Sequence, residues 1–248
     1  MKVIQFIGTK DKADFTLFFA HVLSEIGKRV LIIDGTEREV YKYGYIENSS
    51  DRIADIGNVE VVVEAHNIET VNSVLRANSL SMQAYDCVII DVDSVEGLIA
   101  KWPNIDERYY LSCDERYCIN KDTKLLHHLL DITDNADINR LHFESTYNIK
   151  SEYVDHLIQN RANWSFTSYN VEFDDLAEQL KLQLQHEQII PLKKLSKTTK
   201  AVIKRMIVDL YEDAASELDK VIKPPFRLFN SKNQTNDKEY YPVKEIIH

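Results

Sequence analysis

The first 35 residues constrain the fold more than any other stretch of the chain. An apolar run at residues 3–7 is followed by a polar loop, then by an apolar-periodic stretch at 15–26 that stops at Gly27, then by a second apolar run at 30–33. This order predicts a strand, a loop, a helix with Gly27 as its C-cap, and a second strand. The chain therefore opens with a βαβ unit.

A βαβ unit places its two strands parallel, with a right-handed crossover through the helix. The loop after the first strand lies at the carboxyl end of the sheet, where folds of this kind bind phosphates. The residues of that loop therefore decide what chemistry the unit can carry out.

The rest of the chain continues the alternation of strands and helices. Further strands are predicted at residues 59–63, 87–90, 108–112 and 140–143, with an edge strand at 164–171 and a short last strand at 188–191. Helices are predicted at residues 67–82, 121–132 (capped by Asp122), 151–159, 173–184 and 198–221, and residues 40–46 fit either a strand or a helix. Runs that are apolar on every side are typical of strands buried on both faces. We therefore expect an α/β domain, a doubly wound and mostly parallel sheet flanked by helices, over residues 1–222, followed by a polar tail at 223–248.

Charge and composition narrow the function classes. The formal net charge is −10, which disfavours non-specific DNA binding by the protein as a whole. The three cysteines lack a zinc-site spacing, which favours a reduced setting, and no apolar stretch approaches the ~20 residues that span a bilayer. We expect a cytoplasmic protein, one that can lie at the periphery of a membrane or nucleoid.

Three stretches resemble one family. The loop reads KDKADFTL at residues 10–17, the second strand reads LIIDG, and a later strand reads YDCVIIDVDS. They are similar to the KGGVGKTT, LLIDAD and YDYIIIDTPP motifs of the ParA/MinD family of P-loop ATPases, which includes the TadZ/CpaE proteins. The order of elements is similar over roughly residues 1–210.

The resemblance implies roles for single residues. Lys10 matches the signature lysine that contacts phosphate across a nucleotide-sandwiched dimer, and Thr16 matches the hydroxyl that binds Mg²⁺. Asp34 matches the carboxylate that positions the attacking water, and Asp91 the acid behind the metal. The alternative is that Asp34 and Asp91 are polar strand ends, that Thr16 serves the first helical turn, and that Lys10, like its neighbour Lys12, is a solvated charge.

The loop also departs from the family motif. Asp11, Lys12 and Asp14 replace its three glycines, and Phe15 replaces the lysine that holds the β- and γ-phosphates. Side chains on former glycines block the close approach of the backbone, and two carboxylates repel a polyphosphate. The sequence therefore predicts a degenerate Walker A loop that binds neither ATP nor Mg²⁺ tightly.

A basic stretch stands out from the acidic background. Residues 193–205 carry six basic and no acidic residues: Lys193, Lys194, Lys197, Lys200, Lys204 and Arg205. It predicts either a contact patch for an acidic partner, DNA or anionic lipid, or one half of a helix that is balanced by later acids.

Three functions remain open at this stage. The first is a pseudo-ATPase that dimerises or docks as a scaffold or positioning factor on a larger bacterial machine, such as a pilus, secretion or partition apparatus. The second is an atypical ATPase in which Lys10 or Lys12 replaces the lost lysine and ATP controls dimerisation. The third is a DNA-associated partition regulator that uses the basic stretch.

Overall fold

The computed structural model describes residues 1–47, 50–133, 137–147 and 149–222. The predicted tail at 223–248 lies outside these ranges. No helix within them is both long enough and apolar enough to cross a membrane.

One sheet organises the described residues. Its strands are β1 (Lys2–Ile7), β2 (Val30–Asp34), β3 (Ile53–Asp55), β4 (Glu60–Val62), β5 (Cys87–Val92), β6 (Glu107–Cys113), β7 (Asp137–Phe143) and β8 (Asn163–Val171). Their order across the sheet is β3-β4-β2-β5-β1-β6-β7-β8, and every pairing is parallel except that of β3 with β4. The predicted fold class is confirmed, and β8 is an edge strand as expected.

Helices cover both faces of this sheet. They are α1 (Ala13–Glu25), α2 (Val40–Gly44), α3 (Ile68–Ala77), α4 (Val95–Ile99), α5 (Arg116–Ile132), α6 (Glu152–Leu157), α7 (Ala177–Glu187), α8 (Lys197–Leu210) and α9 (Ala215–Ile222). Helices α1, α7, α8 and α9 pack on one face, and α3, α5 and α6 pack on the other. Strands β1, β2 and β5 are buried on both faces, which explains their uninterrupted apolar sequences.

Two predicted elements at the carboxyl end of the chain are wrong. Residues 188–191 form no strand, because Gln188 takes a left-handed conformation (φ 53°) that ends α7 and turns the chain. The single helix predicted at 198–221 is broken, because Tyr211 is extended between α8 and a 3₁₀ turn that leads into α9. The Tyr211 hydroxyl donates a hydrogen bond to the carbonyl of Asp86 (3.3 Å), which holds the break against the sheet.

Smaller differences concern element ends. Residues 40–46, which the pattern left open, contain the short helix α2, and the antiparallel strand β3 was not predicted. Helix α1 ends one residue earlier than expected, with Ile26 at the C-cap and Gly27 following in the left-handed region (φ 81°). Asp122 is not a cap, because α5 begins at Arg116 and Asp122 lies inside it, fully buried.

The turn after β1 requires glycine. Gly8 has a φ of 144°, and a Cβ atom there would lie 2.4 Å from the carbonyl oxygen of Leu111 on β6. Only glycine allows the loop to leave the sheet at this point. The loop of residues 9–12 is thereby directed over the carboxyl ends of β1 and β5.

Candidate functional site

Two aspartates face each other at the carboxyl edge of the sheet. Asp34 and Asp91 are in register at the ends of β2 and β5, and each is about 1% exposed. The Gly8 amide donates to the carbonyl of Val92 (3.1 Å), which ties the loop after β1 to the same edge. The register therefore brings two predicted site residues together, as parallel strands in adjacent positions require.

The side chain of Lys12 fills the space between these strand ends. Its ammonium lies 2.6 Å from Oδ1 of Asp91, and it donates hydrogen bonds to the carbonyls of Gly8 (2.6 Å) and Val92 (3.3 Å). Lys12 is 2% exposed, so the expectation of a solvated loop charge is wrong for this residue. The ammonium therefore has one ion-pair partner and two hydrogen-bond acceptors inside the protein.

Asp91 forms an ion pair through one oxygen and accepts a hydrogen bond through the other. Its Oδ2 accepts a hydrogen bond from the hydroxyl of Tyr41 on α2 (2.8 Å), while Oδ1 faces Lys12. Burial raises the pKa of Asp91, and the Lys12 ammonium and the Tyr41 hydroxyl oppose that rise. Both carboxylate oxygens thus have partners inside the protein.

Asp34 has one satisfied oxygen and one free oxygen. Its Oδ1 accepts hydrogen bonds from the amide (3.0 Å) and hydroxyl (2.5 Å) of Thr36. Its Oδ2 is buried and has no hydrogen-bond partner among the described residues. Burial, together with the nearby carboxylates of Asp91 and Asp93, raises the pKa of Asp34 to about 7.

A third carboxylate, Asp93, holds the loop after β2. Its oxygens accept hydrogen bonds from the amide of Glu37 (2.7 Å) and from Nε of Arg38 (2.9 Å). Arg38 is the second cation at this edge, and the Asp93 carboxylate raises its pKa despite partial burial. The cluster therefore contains three carboxylates and two cations that belong to the chain itself.

A buried acid anchors the other side of the β1 loop. Oδ1 of Asp122 accepts hydrogen bonds from the amide and hydroxyl of Thr9 (both 2.7 Å), and Oδ2 accepts one from Tyr110 (3.2 Å). Asp122 thus fixes the start of the loop to α5 rather than capping that helix.

A second contact fixes the middle of the loop. The Lys181 ammonium of α7 lies 2.8 Å from Oδ2 of Asp11. Burial raises the pKa of Asp11, but the Lys181 ammonium more than offsets this and holds it below its usual value. Asp11, which replaces the first glycine of the motif, is therefore neutralised by a lysine of α7.

Lys10, Phe15 and Thr16 make separate contacts. Lys10 lies over the ring of Phe143 (4.7 Å to its centroid), and Phe15 packs edge-on against the same ring (5.3 Å). The Thr16 hydroxyl donates to the carbonyl of Lys12 (2.9 Å), so it serves the first turn of α1. Burial raises the pKa of Asp14.

The basic stretch is partly neutralised by neighbouring acids. Lys204 pairs with Asp219 of α9 (2.5 Å), and Arg205 lies 3.9 Å from Asp209. Lys200 donates to the carbonyl of Lys193 (2.9 Å), and Lys194 to Gln183 (2.9 Å). Two cations of the stretch remain: Lys193, which lies in a 3₁₀ turn, and Lys197, which begins α8.

Several residues of the strand-end cluster were not selected from the sequence. Tyr41 and Thr36 belong to no recognised motif. Their hydrogen bonds to Asp91 and Asp34 depend on the conformation of the chain after β2. Asp93 could have been found, since it lies two residues after Asp91 and therefore on the same face. Arg38 could then have been considered as its cationic partner. Asp122 was predicted only as a helix cap and Lys181 gave no signal, because both are distant in sequence from the loop after β1.

Comparisons with known proteins agree with this architecture. No protein-family model and no curated protein matches the chain. Among solved structures, a chain of the MinC:MinD cell division protein complex of Aquifex aeolicus is similar at 14% identity and a TM-score of 0.54, covering 84% of this chain and 96% of that one. A ParA family ATPase from Chlorobium tepidum TLS is similar at 16% identity and 0.54, over 83% and 98%.

A third structure, apo McdA from Cyanthece, is similar at 12% identity and a TM-score of 0.51, covering 90% of this chain and all of that one. The chain has a ParA/MinD-like fold. At these identities the similarity establishes the architecture alone. In this ParA/MinD-like fold, the cluster of Lys12, Asp34 and Asp91 lies where the loop after β1 meets the ends of β2 and β5.

Proposed function

We propose that this protein is a ParA/MinD-like pseudo-ATPase, a scaffold or positioning factor that does not hydrolyse nucleotide. The observation that carries the proposal is the buried ion pair between Lys12 and Asp91. An internal ammonium holds the carboxylate that the family resemblance assigns to the metal. The degenerate Walker A loop predicted from the sequence is part of the same proposal.

A nucleotide-bound Mg²⁺ does not fit the residues present at this edge. Mg²⁺ requires oxygen ligands in near-octahedral geometry, and both oxygens of Asp91 already face Lys12 and Tyr41. The hydroxyl of Thr16 is engaged with the carbonyl of Lys12. Admitting the metal requires that these contacts break first.

The energetic cost of that rearrangement supports the proposal. Removing one partner of a buried ion pair costs about 3–5 kcal/mol, because the other charge stays buried and unpaired. Tight nucleotide binding would have to supply this energy before any net affinity appeared. Asp34 adds to the cost, since burial favours its neutral form.

The loop itself supports the same conclusion. Phe15, which stands at the position of the phosphate-binding lysine, is buried against Phe143. Lys10 lies over that ring and donates a hydrogen bond to the carbonyl of Asp11. Asp11 and Lys181 form an ion pair across the loop. These contacts fix the conformation of the loop, and side chains of the protein occupy the space around it.

A scaffold acts through its partners. The Aquifex aeolicus relative occurs in a complex of MinC with MinD, and we propose that this chain likewise binds a protein partner, as a homodimer or on a larger assembly. Affinity capture from the native cell, with and without added ATP, tests this point. A scaffold of this kind retains the same partners in both conditions.

Measurement of phosphate release tests the lack of hydrolysis. The purified protein is incubated with Mg-ATP, alone and with the captured partner, beside Lys10→Ala and Asp34→Ala variants. We expect the same background rate in all three. A rate above background that Asp34→Ala abolishes would overturn the pseudo-ATPase assignment and favour catalysis.

The second candidate is an atypical ATPase in which Lys12 contacts phosphate. It is favoured by one observation, that a cation lies at the amino end of α1 beside the carbonyl of Gly8. In that case Lys12 must leave Asp91 when ATP binds. Nucleotide titration of the Lys12→Ala variant distinguishes the two functions.

Contact of the basic stretch with DNA or an anionic membrane remains a weaker proposal. Lys204 and Arg205 have acidic neighbours, which leaves fewer cations available for phosphates than the sequence indicated. The double variant Lys200→Glu with Lys204→Glu tests it by DNA and vesicle sedimentation. Unchanged binding in that variant removes this candidate.

A further inference from the structure

A row of polar side chains crosses the sheet at its β6–β8 end. Ser112 on β6 is opposite His142 on β7, which is opposite Asn170 on β8. Parallel strands covered by helices normally present apolar side chains on such a face. The row is separate from the Lys12 and Asp91 cluster. Asn170 is exposed on the edge strand, whereas Ser112 is buried and His142 is half-buried.

Ser112 and His142 of this row form a hydrogen-bonded pair, and an acid, Asp114, lies beside the histidine. Oγ of Ser112 lies 2.9 Å from Nδ1 of His142, and Nε2 of His142 lies 3.4 Å from Oδ1 of Asp114. An acid beside Nε2 favours the tautomer with its proton on that nitrogen. Nδ1 is then free to accept the serine proton, which is the arrangement of an activated nucleophile.

Asp114 is held firmly in this position. One of its oxygens accepts hydrogen bonds from the amide (3.2 Å) and hydroxyl (3.0 Å) of Ser145, and the other accepts one from the amide of Ile149 (2.9 Å). Its side chain is 5% exposed. These three hydrogen bonds fix the carboxylate, and the carboxylate orients the imidazole.

The pair opens onto a cavity of about 390 Å³ between the sheet and the helices α5 and α6. Ser112 and His142 form part of its wall, with Ile119 and Val154 opposite. This volume accepts a small organic molecule. The cavity wall also carries Ser168 and Asn170, whose side chains donate to no other described residue and are available to an oxyanion.

We propose that this cavity is a second, nucleotide-independent site in which Ser112 is the nucleophile for acyl transfer from small esters. His142 is its general base and Asp114 its positioning residue. Ser112 is 5% exposed and faces the cavity, so a substrate carbonyl must enter there to reach it. The assignment does not depend on whether the protein binds ATP.

The reaction balances with these groups and water alone. Oγ of Ser112 forms a bond to the ester carbonyl carbon as Nδ1 of His142 takes its proton. The carbon–oxygen bond to the alcohol breaks, and the alcohol leaves with that proton. Water then attacks the acyl-serine by the same route, which releases the acid and restores the hydroxyl.

A fluorophosphonate probe tests the nucleophile directly on the full chain. Attack by Ser112 forms an oxygen–phosphorus bond and expels fluoride, and mass spectrometry locates the adduct. We expect modification at Ser112 and a loss of at least about 100-fold in labelling rate in His142→Gln, the usual contribution of a general base. Ser151→Ala, which changes another serine of the same cavity wall at the start of α6, serves as the matched control and labels at close to the wild-type rate.

The outcomes decide the proposal. No adduct at Ser112, or an equal labelling rate in His142→Gln with an unchanged circular dichroism spectrum, assigns the polar row a structural role only and overturns it. If His142→Gln perturbs the spectrum, a second pair of variants is compared: Ser112→Cys alone and Ser112→Cys with Asp114→Asn. The rate at which iodoacetamide alkylates the residue at position 112 must then be lower in the double variant. Alkylation that is indifferent to Asp114 also overturns the proposal.

Discussion

The ammonium of Lys12 lies 2.6 Å from Oδ1 of Asp91, and both side chains are about 1% exposed. This pair joins the loop after β1 to the end of β5, the two segments between which the family resemblance places a metal and a phosphate. The cation that neutralises Asp91 is therefore a side chain of the protein itself.

Replacement of Lys12 by methionine tests how much this pair stabilises the fold. Asp91 would be left buried without its cation, and we expect Lys12→Met to lower the free energy of unfolding by about 3–5 kcal/mol near pH 8. The loss should be smaller near pH 5, because Asp91 can then become protonated. Urea denaturation at both pH values measures the difference.

Two further variants control this experiment. Lys10→Met removes a neighbouring, half-buried cation that lies over Phe143, and we expect a cost of only about 0.5–1 kcal/mol. Adding Asp91→Asn to Lys12→Met should recover most of the lost stability, since no uncompensated charge remains. A Lys12→Met chain as stable as Lys10→Met would show that the pair contributes little.

The raised pKa of Asp34 predicts a dependence of stability on pH. Its usual value is 3.8 and its folded value is about 7, so the folded state binds the proton more tightly than the unfolded state does. Stability that this group contributes is therefore present below about pH 4 and is lost as the pH rises through about 7. We expect Asp34→Asn to be more stable than the wild type near pH 8, by roughly 2–4 kcal/mol, and similar to it near pH 4.

Thermal unfolding of both chains across this range measures the effect. Glu96→Gln changes an exposed carboxylate in the first turn of α4 and should leave the pH profile unchanged. An Asp34→Asn profile parallel to that of the wild type would contradict the assignment.

Tyr41 is expected to contribute through its hydroxyl. It is fully buried and donates to Oδ2 of Asp91, and hydrogen bonds to charged groups contribute about 1.5–3 kcal/mol. We expect Tyr41→Phe to lower the free energy of unfolding by this amount. Tyr43→Phe makes the same chemical change on an exposed residue of the same helix and should cost less than about 0.5 kcal/mol.

The sequence predicted the frame of this molecule well because that frame rests on local patterns. Apolar runs identified β1, β2 and β5 and placed Asp34 and Asp91 at strand ends, and the structure brings these two acids into register. The breaks at Gln188 and Tyr211 were missed, because both residues have ordinary helix or strand preferences and only tertiary contacts fix their conformations.

The interior of the site could not be predicted in the same way. A lysine in a polar loop is usually solvated, and nothing in the local pattern of Lys12 shows that its ammonium will be surrounded by carbonyl oxygens and a carboxylate. The same holds for Asp122, whose partner Thr9 lies 113 residues away. Contacts of this separation depend on how the strands are ordered.

Asp122 is expected to control the order of the β1 loop. It receives two hydrogen bonds from Thr9 and one from Tyr110, so Asp122→Ala leaves three donors without their acceptor. We expect a loss of about 2–4 kcal/mol in stability and faster hydrogen exchange of the Thr9 amide. Thr123→Ala, at the next position in α5, should leave the exchange of that amide unchanged.

Equilibrium titration with a fluorescent ATP analogue in the presence of Mg²⁺ tests the central claim most directly. The wild type, Lys10→Ala, Lys12→Ala and Asp34→Ala are compared under the same conditions. We predict that the wild type shows no saturable binding in the micromolar range and that Lys10→Ala and Asp34→Ala behave alike. Saturable micromolar binding by the wild type that is lost in Lys10→Ala or Lys12→Ala would contradict the account.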